Sequence, residues 1–232
     1  MNKLVMPLPQ IEQLAAEYEQ AKPEVILRKA FETLPNITFA CSFGAEDMVL
    51  MDMIMNVQPD AQMFYLDTDL LFSETYALRE EAIRRYGFMY LTQVRPALSL
   101  AEQSEQYGHE LWAKQPDVCC ILRKVNSLSD HLHKFQAWIT GIRREQAVTR
   151  ANAQVFEWDQ KFEMVKVNPL ATWTNDQVWN YIRTHHVPYN PLHDNGYPSI
   201  GCIHCTRPVK DGEDPRSGRW SGHEKTECGL HH

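Results

Sequence analysis

Apolar residues recur at helical spacing near the start of the chain: Ile11, Leu14, Ala15 and Tyr18, then Val25, Ile26, Ala30 and Phe31. Pro23 fits the first turn of the second helix, where a missing N–H costs nothing. Asn36-Ile-Thr-Phe-Ala-Cys41 is short, apolar and β-branched, and reads as a strand. It runs into the loop Ser42-Phe-Gly-Ala-Glu-Asp47 and a helical pattern over residues 45–56. A second unit repeats the order: a strand at 62–66, a loop Asp67-Thr-Asp-Leu70, a helix at 73–86 and a strand at 88–94. Residues 137–141 form a further strand candidate. Strands alternating with helices predict an α/β fold, a parallel twisted sheet flanked by helices. Beyond Gly141 the pattern changes to a hairpin of 154–158 and 162–167, then a helix capped by Thr174 and running to about His186. From Pro188 the chain is rich in Pro, Gly and Asn and loses periodicity. A long irregular tail that carries reactive residues packs over a site or moves across one.

Composition adds limits to this frame. The 232 residues are 44% hydrophobic and 23% charged, ordinary globular material read as one domain over 1–232, with 206–232 as a mobile C-terminal segment. Lys plus Arg number 23 against 30 Asp plus Glu, a net charge of −7, which argues against bulk binding to nucleic acid. It leaves room for an anionic substrate in a locally basic pocket. The N-terminus has no apolar stretch of signal-peptide kind, and the longest apolar run, 48–55, is broken by Asp52. A membrane helix needs about 18 such residues, so the expectation is a cytoplasmic protein with no membrane partner.

The six cysteines change the picture most: Cys41, Cys119, Cys120, Cys202, Cys205 and Cys228. In a reducing compartment a cysteine cluster points to metal or redox chemistry before disulfides. Cys119-Cys120 and Cys202-Ile-His-Cys205 are two pairs far apart in sequence, a donor set for a tetrahedral zinc or an iron–sulfur cluster. Adjacent residues on a helix point in different directions, so Cys119 and Cys120 reach one metal body only if it is large or the helix is distorted. That consideration favours the cluster. Cys41, at a strand end, reads as a core residue. Cys228 lies in Glu227-Cys-Gly-Leu-His231 near Arg216, Arg219 and Lys225, where a thiolate could meet an anion. His231 is close enough in sequence to help lower its pKa.

The loop after the first strand, with Ser42 and Gly44, has the form of a strand–helix turn whose N–H groups can hold phosphate. Thr68 falls at the end of the second strand, beside the same crevice. An ordinary βα turn is the competing reading, since the segment has one Gly and no Walker Gly-Lys-Ser/Thr.

Together, Cys119-Cys120, Gly201-Cys-Ile-His-Cys205 and Lys225-Thr-Glu-Cys-Gly-Leu-His231 resemble the assimilatory adenylyl-sulfate reductases of the phosphoadenylyl-sulfate reductase family. Ala40-Cys-Ser-Phe-Gly-Ala-Glu46, Leu66-Asp-Thr68, Trp138-Ile-Thr-Gly-Ile-Arg-Arg-Glu-Gln146 and Tyr189-Asn-Pro-Leu-His-Asp-Asn-Gly-Tyr197 are similar to the same family in the same order. The resemblance spans about Phe39 to His231. It implies an adenine nucleotide alpha hydrolase-like fold and reduction of adenosine 5′-phosphosulfate to sulfite and AMP in sulfate assimilation and cysteine biosynthesis. It further implies a [4Fe–4S] cluster on Cys119, Cys120, Cys202 and Cys205, and Cys228 as the nucleophile of a thiosulfonate intermediate. Lys124, Arg150, Arg216, Arg219 and His231 would bind substrate, with thioredoxin or glutaredoxin as electron donor; a homo-oligomer is left open. The 3′-phosphorylated nucleotide is the alternative substrate, and a zinc-stabilised nucleotide-binding module the alternative class.

One position departs from the family pattern, in which Leu-Asp-Thr is followed by Gly: here it is Asp69. If the position needs positive φ, Asp is among the better substitutes. A carboxylate beside a 3′-phosphate would also repel it, which favours the unphosphorylated nucleotide.

Overall fold

In a computed structural model, residues 6–87, 91–223, 225 and 227–230 are described. Two N-terminal helices, α1 (Leu8–Tyr18) and α2 (Pro23–Thr33), bury Ile11 and Leu14, then Ile26, Leu27 and Ala30. Pro23 opens the second, as its fixed φ predicts. Strand β1 (Ile37–Ala40) leads through Gly44 into α3 (Ala45–Val57). Met48 to Ile54 are buried on every face of α3, which packs against both α2 and a later helix. Asp52, the residue that interrupts this apolar run, is buried and accepts from the hydroxyls of Tyr86 at 2.8 Å and Tyr181 at 3.0 Å.

The second unit follows as β2 (Gln62–Leu66), α4 (Ser73–Tyr86) and β3 (Leu91–Val94); the first residues of the expected third strand lie outside the described set. A run of short helices then appears that the periodicity did not separate: α5 (Leu100–Tyr107), α6 (Leu111–Lys114), α7 (Pro116–Cys120) and α8 (Asn126–Leu132). Between the last two, Ile121–Val125 widens into a π-helical turn. Strand β4 (Ala137–Ile139) is followed by the hairpin β5 (Phe156–Asp159) and β6 (Met164–Val167), then α9 (Asn175–His185). Thr174 caps α9 reciprocally with Gln177, as expected from sequence.

The strand order is β3-β2-β1-β4-β6-β5. All neighbours are parallel except β5, which runs antiparallel to β6 at the edge. Phe39 sits at the centre of the sheet, in register with Met63 on one side and Ile139 on the other. The chain winds outward from β1 to β3, then returns to place β4 on the opposite side of β1. The order therefore reverses between β1 and β4, where open sheets form their ligand crevice at the carboxyl ends of the strands. Past α9 the chain is irregular, held by short turns and by bridges from Leu71 to Cys202 and from Thr206 to Arg219. No described helix is long and apolar enough to cross a membrane.

Candidate active site

A crevice of about 1220 Å³ opens at this switch point. It is lined by the β1–α3 loop, the end of β2, the segment after β4 and the C-terminal tail. Ser42, Gly44, Thr68, Lys124, Arg150, Arg216, Arg219 and Cys228, scattered over nearly the whole sequence, all line it. His231, expected beside them, lies outside the described residues.

The two loops that carry the small residues are wound tightly. Phe43 has φ 60° and Asp69 φ 56°, both in the left-handed region, so Asp69 does occupy a positive-φ position. The Ser42 backbone N–H and hydroxyl both donate to Asp47 Oδ2, at 2.6 and 2.5 Å. The Phe43 N–H goes to Cys41 Sγ and the Gly44 N–H to Ser42 Oγ, each at 3.4 Å. Ser42 and Gly44 thus face the crevice with donors already engaged inside their own loop. Asp47, which sequence reasoning passed over, is the hub. Burial raises its carboxyl to about 6, against the Ser42 hydrogen bonds that lower it; Glu46 raises it further and Arg150 lowers it. Gly141 closes over this hub: a Cβ there would lie 2.1 Å from Asp47 Oδ1.

Thr68 also lines the crevice, but its hydroxyl is 3.3 Å from Cys202 Sγ, while its carbonyl accepts from Arg123 Nε at 2.6 Å. Arg123 is 2% exposed and also pairs with Asp69, Gln103 and the Leu98 carbonyl. The Asp69 carboxylate therefore goes to a buried guanidinium and does not line the crevice. The expected repulsion of a 3′-phosphate by this side chain loses its basis. Arg123 was a missed residue; an arginine one turn beyond a buried cysteine pair was the available signal.

Cys119, Cys120, Cys202 and Cys205 line a second, small cavity, together with Arg123, Lys124, Arg219 and Trp220. The last three also line the large crevice, so the two spaces share a wall. Cys119, Cys120 and Cys202 are buried and Cys205 half-buried, all as free thiols. Burial, followed by the charges of the other three sulfurs, pushes the Cys119 thiol up to about 12. Burial and neighbouring sulfurs push Cys205 to about 11. The helix widens just after the adjacent pair, where α7 passes directly into the π-helical turn at Ile121. Among the described residues no three His, Cys, Asp or Glu side chains converge tightly enough for a single ion. Cys41 is buried in the core, as expected.

Cys228 is 9% exposed and packs with Cys120 and Trp220. Burial would push the Lys124 amine down, but Cys202, Cys228 and Cys120 hold it above its ordinary range. Trp220 lies between two cations, with Arg219 4.5 Å and Lys225 5.6 Å from its ring centre. Gly201 lets the Arg219 guanidinium lie flat on the backbone, since a Cβ would stand 2.3 Å from Nη2. Lys225 also pairs with Asp117 of α7. Glu227, a third residue missed from sequence, is ion-paired to Arg150 at 2.7 Å and to Arg216 at 3.0 Å. Its burial would raise the carboxyl, yet the two guanidiniums hold it below its usual range.

Residues 36–208 match the phosphoadenosine phosphosulfate reductase domain. The chain belongs to the phosphoadenosine phosphosulfate reductase family. It is 48% identical over 225 residues to an adenosine 5′-phosphosulfate reductase of Shouchella clausii, covering 94% of this chain and 93% of the relative. It is equally 48% identical, over 224 residues, to a phosphoadenosine 5′-phosphosulfate reductase of Gloeobacter violaceus, with 95% and 93% covered. Among solved structures it is similar to the phosphoadenylyl-sulfate reductase of Candida auris in a phosphate complex: TM-score 0.77, 30% identity, 87% of this chain and 98% of that one. The family, its reductase class and the nucleotide alpha hydrolase-like fold expected from the cysteine and loop motifs are thereby established. As a member of this family of sulfonucleotide reductases the chain is an oxidoreductase of assimilatory sulfate reduction. Relatives named for adenosine 5′-phosphosulfate are 48–51% identical, against 48% for the Gloeobacter relative named for the 3′-phosphorylated nucleotide.

Proposed function

We propose that this reductase converts adenosine 5′-phosphosulfate to sulfite and AMP, with Cys228 as nucleophile. The observation that carries this reading is one crevice, at the sheet's switch point, lined by Cys228 together with Lys124, Arg150, Arg216 and Arg219. Four cations offset the cost of bringing a thiolate up to a substrate that is already anionic. The Cys228 thiolate attacks the sulfur of the sulfate group; an S–S bond forms, the S–O bond to the phosphate breaks, and AMP leaves with the electron pair. The enzyme then carries a thiosulfonate, Cys228–S–SO₃⁻. A thiolate of a dithiol protein of the thioredoxin or glutaredoxin kind attacks Cys228 Sγ and releases sulfite. Its second thiolate resolves the mixed disulfide and restores the Cys228 thiolate, so the partner supplies both electrons. At 9% exposure Cys228 is out of reach of a protein partner, which supports residues 206–232 as a segment that closes for the first step and opens for the second.

The cysteine cavity fits a [4Fe–4S] cluster held by Cys119, Cys120, Cys202 and Cys205. Four free thiols line one space together with Lys124 and Arg219, and burial with neighbouring sulfur charge raises Cys119, Cys120 and Cys205. When bound, the cluster supplies iron to hold the four sulfurs as thiolates, whose charge sits across a shared wall from the crevice. Lys124 lines both spaces and is close enough to Cys228 for their charges to interact, which suits it to holding the substrate anion beside the thiolate. A cysteine set read as holding a metal cluster rather than disulfides supports a reducing, cytoplasmic setting.

Cys228→Ser is expected to abolish sulfite release and to leave no ³⁵S adduct after incubation with labelled substrate; an adduct that persists in the variant overturns the assignment. Purified protein containing zinc and no iron would overturn the cluster. Comparing turnover of the two nucleotides tests the substrate choice, and faster use of the 3′-phosphorylated one would reverse it.

A further inference from the structure

Glu227 immediately precedes the nucleophile and is 6% exposed. Its carboxylate accepts from Arg150 Nε at 2.7 Å and Nη2 at 2.8 Å, from Arg216 Nη2 at 3.0 Å and from the Thr149 hydroxyl at 3.3 Å. Gln146 Oε1 takes Arg150 Nη1 at 2.7 Å. A carboxylate seated two-pronged on a guanidinium fork uses the same donors that a phosphate or sulfate ester would use. Both guanidiniums line the crevice, so Glu227 and the substrate anion call on the same side chains. Holding both at once would place further negative charge against a largely desolvated carboxylate.

We infer that Glu227 is a positioning residue that docks the tail on Arg150 and Arg216 in direct competition with the phosphosulfate of the substrate. The inference rests on reading those two arginines as the anion clamp. Its consequence is mechanical. In this proposal the buried carboxylate leaves the clamp by a shift of the tail rather than by side-chain rotation, and Cys228, whose Cα is about 3.8 Å from that of Glu227, shifts with it. The tail stays moored on both sides, by Lys225 on Asp117 and by Lys161 on the Gly229 carbonyl. Displacement therefore becomes a local shift of the thiol. Gly229, at φ 80°, supplies the bend. Substrate capture and repositioning of the nucleophile are then one event, and part of the binding energy goes into releasing Glu227.

The test measures the Kd for adenosine 5′-phosphosulfate in the Cys228→Ser background, where no turnover occurs, with and without Glu227→Gln. Removing the competitor is expected to tighten binding by about tenfold, because the apparent Kd is the intrinsic value divided by the fraction of open clamps. Glu227→Asp, charged but on a shorter arm, is expected between the two. With Cys228 intact, Glu227→Gln is also expected to raise severalfold the rate at which iodoacetamide labels Cys228, followed by peptide mass. A Glu227 that merely orients the arginines predicts the opposite sign, weaker binding on substitution. That result, or an unchanged affinity and labelling rate, overturns the proposal. Arg150→Ala and Arg216→Ala separate the two readings: if neither weakens nucleotide binding, the clamp itself is wrong, whatever Glu227→Gln does.

Discussion

Replacing Asp47 by Asn removes a charge from a buried carboxylate of the crevice and should change how stability depends on pH. The Asp47 carboxyl titrates near 6 in the folded chain against an ordinary 3.8, chiefly because it is buried. A carboxyl whose folded value is raised binds more protons folded than unfolded between about pH 4 and 6, so stability falls as pH rises through that window. At 1.36 kcal/mol per pH unit of difference, full ionisation costs about 3 kcal/mol, of which about 2 is lost between pH 4 and 7. Asn keeps one acceptor for the Ser42 N–H and cannot titrate. Urea unfolding of iron-matched samples from pH 4 to 7 should show Asp47→Asn gaining about 2 kcal/mol on the wild type across the range, whatever its offset at pH 4. A difference that is flat with pH would refute the placement of an ionised, desolvated carboxylate under the Ser42 loop.

Three further outcomes follow from single contacts. Thr174→Ala removes the capping box of α9 and should cost about 1 kcal/mol, lowering Tm by roughly 2–4 °C in a calorimetric scan. Asp69→Gly should destabilise the fold by a few kcal/mol, about 3, by leaving buried Arg123 short of its carboxylate, while the ratio of kcat/KM for the two nucleotides stays unchanged; a shift toward the 3′-phosphorylated one would restore the repulsion argument. Gly141→Ala drives a Cβ to 2.1 Å from Asp47 Oδ1 and should raise KM for nucleotide and cost about 1–3 kcal/mol in stability, read from steady-state kinetics and melting; wild-type values in both would sink it.

Much of the layered frame could be read locally. The β-branched run ending at Cys41, the loop at Ser42 and the periodic segment after it are properties of neighbouring residues, and they appear as β1 and α3 almost at the expected bounds. The helices over 100–114 escaped because their apolar faces are too short to show a period; α5 has eight residues and α6 four. The cysteine set and Cys228 were legible because thiols in pairs are rare and chemically loud. Glu227 and Arg123 were not, because a charged residue reads as surface until its partner is known, and those partners lie 77 and 54 positions away.

The sequence by itself determined the α/β alternation and the grouping of four thiols into two close pairs, with Cys41 and Cys228 apart, each a matter of residue chemistry or short-range geometry. Tertiary structure alone decided the strand order that puts the crevice between β1 and β4, the wall shared with the cysteine cavity, and the turning of Asp69 away from that crevice. It alone decided, too, that the Glu227 carboxylate beside Cys228 pairs with Arg150 and Arg216. Those are pairings between distant segments, and the energy that selects them comes from burial and charge neutralisation that exist only once the chain has closed on itself.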